Sequence, residues 1–186
     1  MIISIDGTPG SGKSSIGKKI AQKYKLKFYS MGDLMRNIAK RKGITLEELN
    51  RLRDRNGDID RDVDDYQREL GKEEDDFVIT GRTSFHFIPH GIKIFLKTDY
   101  EEAARRIFPD LQKSNERNEN TYRSKDALSH AIRERNEGDK RRYMKYYKLD
   151  VNDAFHYDLV LETKKLSEKK VFELVDAFVY AMKRAK

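Results

Sequence analysis

The sequence contains no cysteine and no tryptophan, and its 186 residues include only three prolines and four histidines. Without cysteine, the chain can form neither a disulfide nor a thiolate zinc site, and it has no thiol nucleophile. The histidines show no metal-ligand spacing. No apolar run approaches the roughly 18 residues that span a bilayer, and no basic stretch of the signal-peptide type precedes the apolar residues 1–3. We therefore expect a cytoplasmic protein that makes no contact with membranes.

The chain is instead rich in charge, with 38% charged and 37% hydrophobic residues. These fractions are typical of a globular protein in water, and the length is sufficient for one domain with a substantial core. The formal net charge is +7. A basic protein suits a polyanionic partner, and both nucleotides and nucleic acids fit that description.

Short apolar segments alternate with helical patterns along the chain, and five of these segments are predicted to be strands. Their first residues are Ile2, Lys27, Phe77, Ile92 and Asp158. Residues 109–126, with Pro109 and little apolar content, predict a mobile, solvated segment, and a basic helix is predicted from about Ser129 to Tyr147. The alternation predicts an α/β fold with three α/β/α layers, in which helices cover both sides of a five-stranded parallel sheet. The active site of such a sheet lies at the carboxyl ends of its strands.

Several helix boundaries have recognisable signals. Thr45 and Glu48 have the spacing of a capping box, and Asp99 and Ser167 each precede a helical pattern as expected of a capping residue. The charged helical region from about residue 33 to residue 71 is predicted to break at Gly43 and at residues 56–57.

Residues 7–14, Gly-Thr-Pro-Gly-Ser-Gly-Lys-Ser, match the phosphate-loop pattern GxxxxGK[ST] without a gap. Glycines let backbone N–H groups approach phosphate oxygens, the helix that begins near Gly12 directs its positive end at them, and Lys13 adds a point charge. The Ser14 hydroxyl is a predicted ligand for Mg²⁺, the expected cofactor. Because the motif follows a predicted strand and opens a predicted helix, an incidental glycine-rich turn explains it poorly. The predicted ATP-binding residues are Gly7, Thr8, Pro9, Gly10, Ser11, Gly12, Lys13, Ser14 and Ser15.

Further motifs extend over nearly the whole chain: residues 30–36 (Ser-Met-Gly-Asp-Leu-Met-Arg), 59–64 (Ile-Asp-Arg-Asp-Val-Asp), 80–82 (Thr-Gly-Arg), 157–163, and the R-x₃-D-x₂-R spacing of Arg135, Asp139 and Arg142. Together with the phosphate loop they resemble the nucleoside monophosphate kinases, most closely the short archaeal type of cytidylate kinase. The resemblance implies transfer of the γ-phosphoryl group of ATP to CMP, and to dCMP. It also implies a core (1–32, 76–108 and 148–186), an acceptor-binding arm (33–75) and a lid (109–147).

The resemblance implies three catalytic residues, Lys13, Arg135 and Arg142. The acceptor-binding residues that it implies are Ser30, Asp33, Arg36, Asp60, Asp64, Gly81 and Arg82. Asp60 and Asp64 share a helix face and could accept hydrogen bonds from a cytosine amino group, although a plain acidic helix face is an equal alternative. Thr80 stands where many relatives have an acidic residue, so no carboxylate is identified that supports Mg²⁺.

Two alternatives remain at this stage. The first is a P-loop kinase for another small acceptor, such as UMP, AMP or shikimate. The second is a basic protein that binds RNA and uses its nucleotide as a switch, which the net charge and the Lys/Arg-rich residues 133–148 favour. No RNA-binding motif is present, so small nucleotides are the expected partners and nucleic acid is not. A monomer or a weak homodimer is expected.

Overall fold

The computed structural model describes residues 1–55, 58–113 and 121–185. These residues form one parallel sheet in the order β2-β3-β1-β4-β5. The strands are β1 (Ile2–Gly7), β2 (Lys27–Ser30), β3 (Phe77–Gly81), β4 (Ile92–Lys97) and β5 (Leu159–Glu162). The five predicted parallel strands are therefore confirmed. Because β1 is the central strand, the residues that follow it emerge between the carboxyl ends of β3 and β4.

Helices connect these strands on both faces of the sheet. They are α1 (Lys13–Tyr24), α2 (Met31–Arg41), α3 (Leu46–Arg55), α4 (Asp58–Glu73), α5 (Ser84–Phe87), α6 (Tyr100–Lys113), α7 (Lys125–Tyr147) and α8 (Glu168–Ala185). Across the described ranges, none of the helices combines the length and the apolar character needed to cross a bilayer.

Two hydrophobic clusters separate the layers. On one face, α1 and α8 pack against the sheet, and the cluster includes the fully buried Ile5, Ile16 and Val175. On the other face, residues of α2 to α5 pack together in a cluster that includes Met35 and Leu49. Full burial of one aliphatic side chain contributes about 1.5–3 kcal/mol, so β1, buried along its whole length, anchors the phosphate loop firmly. The three-layer fold is confirmed.

The capping signals are confirmed. Glu48 Oε2 accepts a hydrogen bond from the Thr45 N–H at 2.7 Å, and Thr45 Oγ1 accepts one from the Glu48 N–H at 3.2 Å. Asp99 and Ser167 accept hydrogen bonds from Glu102 and Lys170 at the starts of α6 and α8. Gly43 has a φ of 68° and lies between α2 and α3, whereas residues 56–57, the second predicted break, lie outside the described residues.

The prediction for residues 109–126 is wrong at both of its described ends. Helix α6 continues through Pro109 to Lys113, because Leu111 and the preceding turn pack against Leu128 and Ile132 of α7. This packing outweighs the backbone hydrogen bond that proline removes. Helix α7 begins at Lys125, four residues before the predicted Ser129, since Ser124 caps it by accepting a hydrogen bond from the Ala127 N–H at 3.1 Å. Residues 114–120 of the predicted segment lie outside the described residues.

Candidate active site

The phosphate loop, residues 7–14, depends on backbone conformations that only glycine adopts easily. Gly7 has a φ of 145°, and a Cβ atom there would lie 1.9 Å from the Leu96 carbonyl oxygen on β4. Gly10 has a φ of 70°, and a Cβ atom would lie 2.7 Å from Ala103 Cα on α6. The loop therefore fits closely against β4 and α6, which fixes the orientation of its backbone.

Side chains hold the loop in this shape. The Thr8 carbonyl oxygen accepts hydrogen bonds from Ser11 Oγ at 2.9 Å and from Lys13 Nζ at 2.7 Å. Arg106 on α6 donates to the Gly10 carbonyl oxygen at 3.1 Å and to the Thr163 carbonyl oxygen, just after β5, at 2.7 Å. Arg106 thus ties the phosphate loop to the end of the neighbouring strand. Besides Glu102, four residues earlier on the same helix, these partners are distant in sequence, so spacing alone gave no signal for the link to the loop.

One cavity of about 820 Å³ opens beside the loop at the carboxyl ends of the strands. It brings together most of the predicted site residues: Pro9 to Ser15, Ser30, Arg36, Asp60, Asp64, Gly81, Arg82 and Arg135. Within the described part of the chain, four predicted residues are not part of its wall, namely Gly7, Thr8, Asp33 and Arg142. Its size is typical of a small-molecule site.

The beginning of α2 presents Arg36 to this cavity. Ser30 caps the helix by accepting a hydrogen bond from the Asp33 N–H at 3.1 Å. One turn later, the Arg36 guanidinium pairs with the Asp33 carboxylate at 2.5 Å. The Asp33 side chain is half exposed. Asp33 therefore orients Arg36 and does not itself reach the cavity wall.

A chain of buried ion pairs joins helices α3 and α4, the turn after β3 and helix α7. Arg53 of α3 pairs with Asp60, Asp60 with Arg142, Arg142 with Asp139, and Asp139 with Arg82. Three arginines thus share two carboxylates.

Arg135 adds a further positive charge near this chain. Burial, followed by the charge of Arg135, lowers the pKa of Arg82 to about 9, so Arg82 remains protonated at neutral pH. Buried guanidinium groups gathered at one wall of a cavity are strong hydrogen-bond donors to phosphate oxygens.

The two acidic residues on α4 are in different environments. Asp60 accepts from Arg53 Nε at 2.7 Å on one oxygen and faces Arg142 Nε at 3.5 Å with the other. Asp64 accepts a hydrogen bond from the Tyr147 hydroxyl, and Gln67 Nε2 lies 3.5 Å from its other oxygen. Burial raises the pKa of Asp64 to about 6. Asp60 is therefore neutralised by arginines, whereas Asp64 is not.

The chain matches the model of the cytidylate kinase-like family over residues 2–165. It belongs to that family. The cytidylate kinase of Methanothrix thermoacetophila is 37% identical over 183 residues, covering 98% of this chain and 100% of the relative. The cytidylate kinase of Methanocella arvoryzae is 36% identical over 185 residues, and the alignment covers 100% of this chain and 100% of the relative. The resemblance inferred from the motifs is confirmed.

Solved structures also resemble this cytidylate kinase-like protein. Shikimate kinase from Bacteroides thetaiotaomicron has a TM-score of 0.61 at 17% identity, with 99% of this chain and 98% of that chain covered. An uncharacterised protein from Eubacterium ventriosum has a TM-score of 0.66 at 19% identity, covering 96% and 98% of the two chains. At such low identity the likeness confirms the kinase fold and leaves the acceptor open.

Sequence reasoning missed Asp6, which precedes the phosphate loop of this cytidylate kinase-like chain. Asp6 is fully buried and accepts hydrogen bonds from the Ser84 N–H at 3.1 Å and the Phe85 N–H at 3.2 Å. Burial raises the pKa of Asp6 to about 7, against the opposing effect of these bonds. The carboxylate therefore ties the end of β1 to the turn that carries Arg82.

The residues around the loop fit a magnesium ion that is held largely by phosphate. Mg²⁺ at nucleotide sites is typically bound by phosphate oxygens, waters and one or two protein groups. Ser14 lines the cavity beside Lys13 and offers such a group. Thr80 also lines the cavity, but it supplies no carboxylate, and its hydroxyl donates to the Tyr29 carbonyl oxygen at 3.4 Å. The described ranges contain no group of three or more His, Asp or Glu side chains that could hold a metal without phosphate.

Proposed function

We propose that this protein transfers the γ-phosphoryl group of ATP to CMP, and to dCMP, and releases ADP with CDP or dCDP. One observation carries the proposal. A single cavity has the phosphate loop in one part of its wall and two arginines from separate elements, Arg36 and Arg82, in another. Two phosphate-binding regions in one cavity suit a reaction between two nucleotides, and relatives that align over their full length are cytidylate kinases.

The phosphate loop is the proposed donor site, formed by residues 7–15. Lys13, which contacts the Thr8 carbonyl oxygen, would move to the β- and γ-phosphates of ATP. Ser14 would ligate Mg²⁺, which supplies charge that stabilises the transferring phosphoryl group. The backbone N–H groups of the loop and the start of α1 would stabilise the same phosphates.

Arg36 and Arg82 form the proposed acceptor-phosphate site. Both guanidiniums pair with carboxylates, Asp33 and Asp139, and both line the cavity. A phosphate that binds between them would take over part of the role of these carboxylates. Guanidinium forks fix phosphate oxygens in a plane, which aligns the acceptor oxygen for attack on the donor.

The two remaining predicted catalytic arginines have different proposed roles. Arg135 lines the cavity and would stabilise charge on the transferring group. The buried Arg142 pairs with Asp139 and Asp60, so we assign it the positioning of Asp139 and, through it, of Arg82. The binding residues then divide between donor and acceptor as the family resemblance implies.

The described parts of residues 33–75 and 109–147 are the proposed moving parts, an arm and a lid over a core. The ion pair between Asp60 and Arg142 and the bond from Tyr147 to Asp64 join α4 to α7, so arm and lid would close together. Hydrogen exchange should show greater protection of α4 and α7 when ATP and CMP are both bound. Equal protection with and without nucleotides would contradict a lid.

Formation of ADP from ATP, measured with each acceptor in turn, tests the reaction. The panel is CMP, dCMP, UMP, AMP, GMP and shikimate, each with Mg²⁺ and without it. We expect CMP to give the highest kcat/KM, dCMP to follow, and activity to require Mg²⁺. A higher kcat/KM for any acceptor outside the cytosine nucleotides would overturn the assignment of the substrate.

A further inference from the structure

One face of α4 lines the cavity with four residues at helical spacing: Asp60, Val63, Asp64 and Gln67. Asp60 is occupied by Arg53 and Arg142, as described above. Val63 contributes an apolar surface together with Met31 and Met35 of α2, and all three are at most 8% exposed. A planar ring with a polar edge could pack against the apolar side chains of this face and bond to its polar groups.

Gln67 is 1% exposed, and its side-chain amide lies between two polar partners. Ser84 Oγ bonds to Gln67 Oε1 at 2.8 Å, and Asp64 Oδ1 lies 3.5 Å from Gln67 Nε2. An ionised carboxylate only accepts hydrogen bonds, so the amide nitrogen must face Asp64 and the amide oxygen must face Ser84. The Ser84 hydroxyl thereby fixes the Gln67 amide in one orientation, in which the amide N–H groups face Asp64.

This face of α4 therefore offers a hydrogen-bond acceptor, Asp64 Oδ1, next to a hydrogen-bond donor, Gln67 Nε2. Tyr147 bonds to one oxygen of Asp64, and among the described residues the other oxygen has only the long contact to Gln67. Cytosine carries a complementary pair on its Watson–Crick edge, the donor N4 amino group and the acceptor N3. Uracil carries the reverse pair, the acceptor O4 and the donor N3–H.

We propose that Gln67 and Asp64 together read the acceptor base, with Ser84 as the positioning residue that fixes the Gln67 amide. Asp64 Oδ1 accepts from the cytosine N4 amino group, and Gln67 Nε2 donates to N3. Uracil would place its O4 against the carboxylate and its N3–H against the amide N–H. A site built to bond one polar pattern rejects the reversed one strongly, because buried groups are left without partners. This inference rests on the proposed function and adds the residues that select the base.

The test compares kcat/KM for CMP with kcat/KM for UMP in four proteins. Asp64→Asn replaces the acceptor with an amide. Because the Ser84 hydroxyl can also donate or accept, Gln67 can then turn and present its oxygen, which gives the uracil pattern. We expect the CMP-to-UMP ratio of Asp64→Asn to fall at least about 100-fold, with a gain in absolute activity on UMP.

Ser84→Ala tests the positioning role separately. Without the hydroxyl, the Gln67 amide loses its fixed orientation, so the CMP-to-UMP ratio should fall about tenfold while the KM for ATP is unchanged. The matched control is Asp65→Asn, on the same helix, since the Asp65 side chain is 63% exposed and pairs with Arg68. We expect this control to retain the wild-type ratio. Thermal unfolding of each variant identifies any that are not folded.

The outcomes separate the two proposals. If the wild type prefers CMP and the folded Asp64→Asn and Ser84→Ala variants keep the ratio within about twofold, the base-reading role of Gln67 and Asp64 is wrong and the proposed function stands. Equal losses on CMP and UMP would also overturn it, because they indicate a structural role only. If the wild type prefers UMP or AMP, the proposed function itself fails, and this inference fails with it.

Discussion

The proposed donor and acceptor sides of the cavity are built in different ways. The donor side is one continuous stretch, residues 7–15, whose shape depends on glycines and on hydrogen bonds within the loop. The acceptor side takes Arg36 from α2, Asp64 and Gln67 from α4, and Arg82 from the turn after β3. The residues of the proposed donor site therefore come from one local motif, whereas those of the proposed acceptor site are brought together only when distant elements pack.

The largest expected effect concerns the donor side. Lys13→Ala should lower kcat by about 10²–10³ or more, because it removes the charge that stabilises the transferring group. Steady-state ADP formation measures the loss, and Lys19→Ala on the same helix is the control, since its side chain is exposed and pairs with Glu168. A folded Lys13→Ala protein with most of its activity would contradict the kinase assignment.

This contrast also explains how far the sequence could predict the site. The phosphate loop was predicted residue by residue, since its pattern is contiguous. Arg36 and Arg82 followed from the family resemblance, and the structure places both in the cavity wall. The partners of these arginines were harder to predict. Helix spacing indicates that Asp139 pairs with Arg142, but the pair of Asp139 with Arg82 forms only in the packed fold.

The tertiary contacts of Asp6 and Arg106 had no sequence signal for the same reason. The backbone N–H groups that bond to Asp6 lie 78 and 79 residues away, and the Thr163 carbonyl oxygen that accepts from Arg106 lies 57 residues away. The fold was predicted better than these contacts, since hydrophobic periodicity marks strands and helices locally. The exception was α6, where tertiary packing carries the helix through Pro109.

A second prediction concerns Asp6, which connects the two sides. Its pKa of about 7 in the folded protein lies above the ordinary aspartate value of 3.8, so the folded state binds the proton more tightly. The stabilisation is complete below about pH 3.8 and is lost as pH rises through 7. Chemical denaturation should therefore show the free energy of unfolding falling by about 2 kcal/mol between pH 5 and pH 7 through this group.

Asp6→Asn should lack this pH-dependent contribution, so the difference in the free energy of unfolding between wild type and variant should change with pH. Asparagine also keeps only one acceptor for the two N–H groups of Ser84 and Phe85, so the turn that carries Arg82 should be held less firmly. Asp65→Asn, an exposed change, serves as the control. If the free energies of unfolding of the wild type and of Asp6→Asn differ by the same amount from pH 5 to pH 7, Asp6 does not titrate in that range.

A third, smaller effect is expected on the acceptor side. Arg36→Lys and Arg82→Lys keep the charge but lose the guanidinium fork, so each should raise the KM for CMP at least about tenfold, on the order of 1.4 kcal/mol. The KM for ATP should change little, because the donor binds at the phosphate loop. The exposed Arg68→Lys is the control. A rise in the KM for ATP without one for CMP would mean that these arginines belong to the donor site.

The smallest expected effect tests whether local signals contribute to the acceptor side at all. Thr45 and Glu48 form a capping box at the start of α3, the helix that supplies Arg53 to the ion-pair chain. Thr45→Ala removes the hydroxyl that accepts the Glu48 N–H, which costs about 1 kcal/mol of stability. The Arg53 guanidinium lies beyond the first turn, so α3 should fray at its start while the pair with Asp60 survives. We therefore expect a lower melting temperature, a KM for CMP raised less than about threefold and an unchanged KM for ATP, since 1 kcal/mol spread over the arm alters binding by at most about fivefold.

Thr45→Ser preserves the cap and should match the wild type in all three measurements. If Thr45→Ala instead raised the KM for CMP as much as Arg82→Lys does, the acceptor side would depend on a local signal as strongly as the phosphate loop does, and the contrast between the two sides would fail.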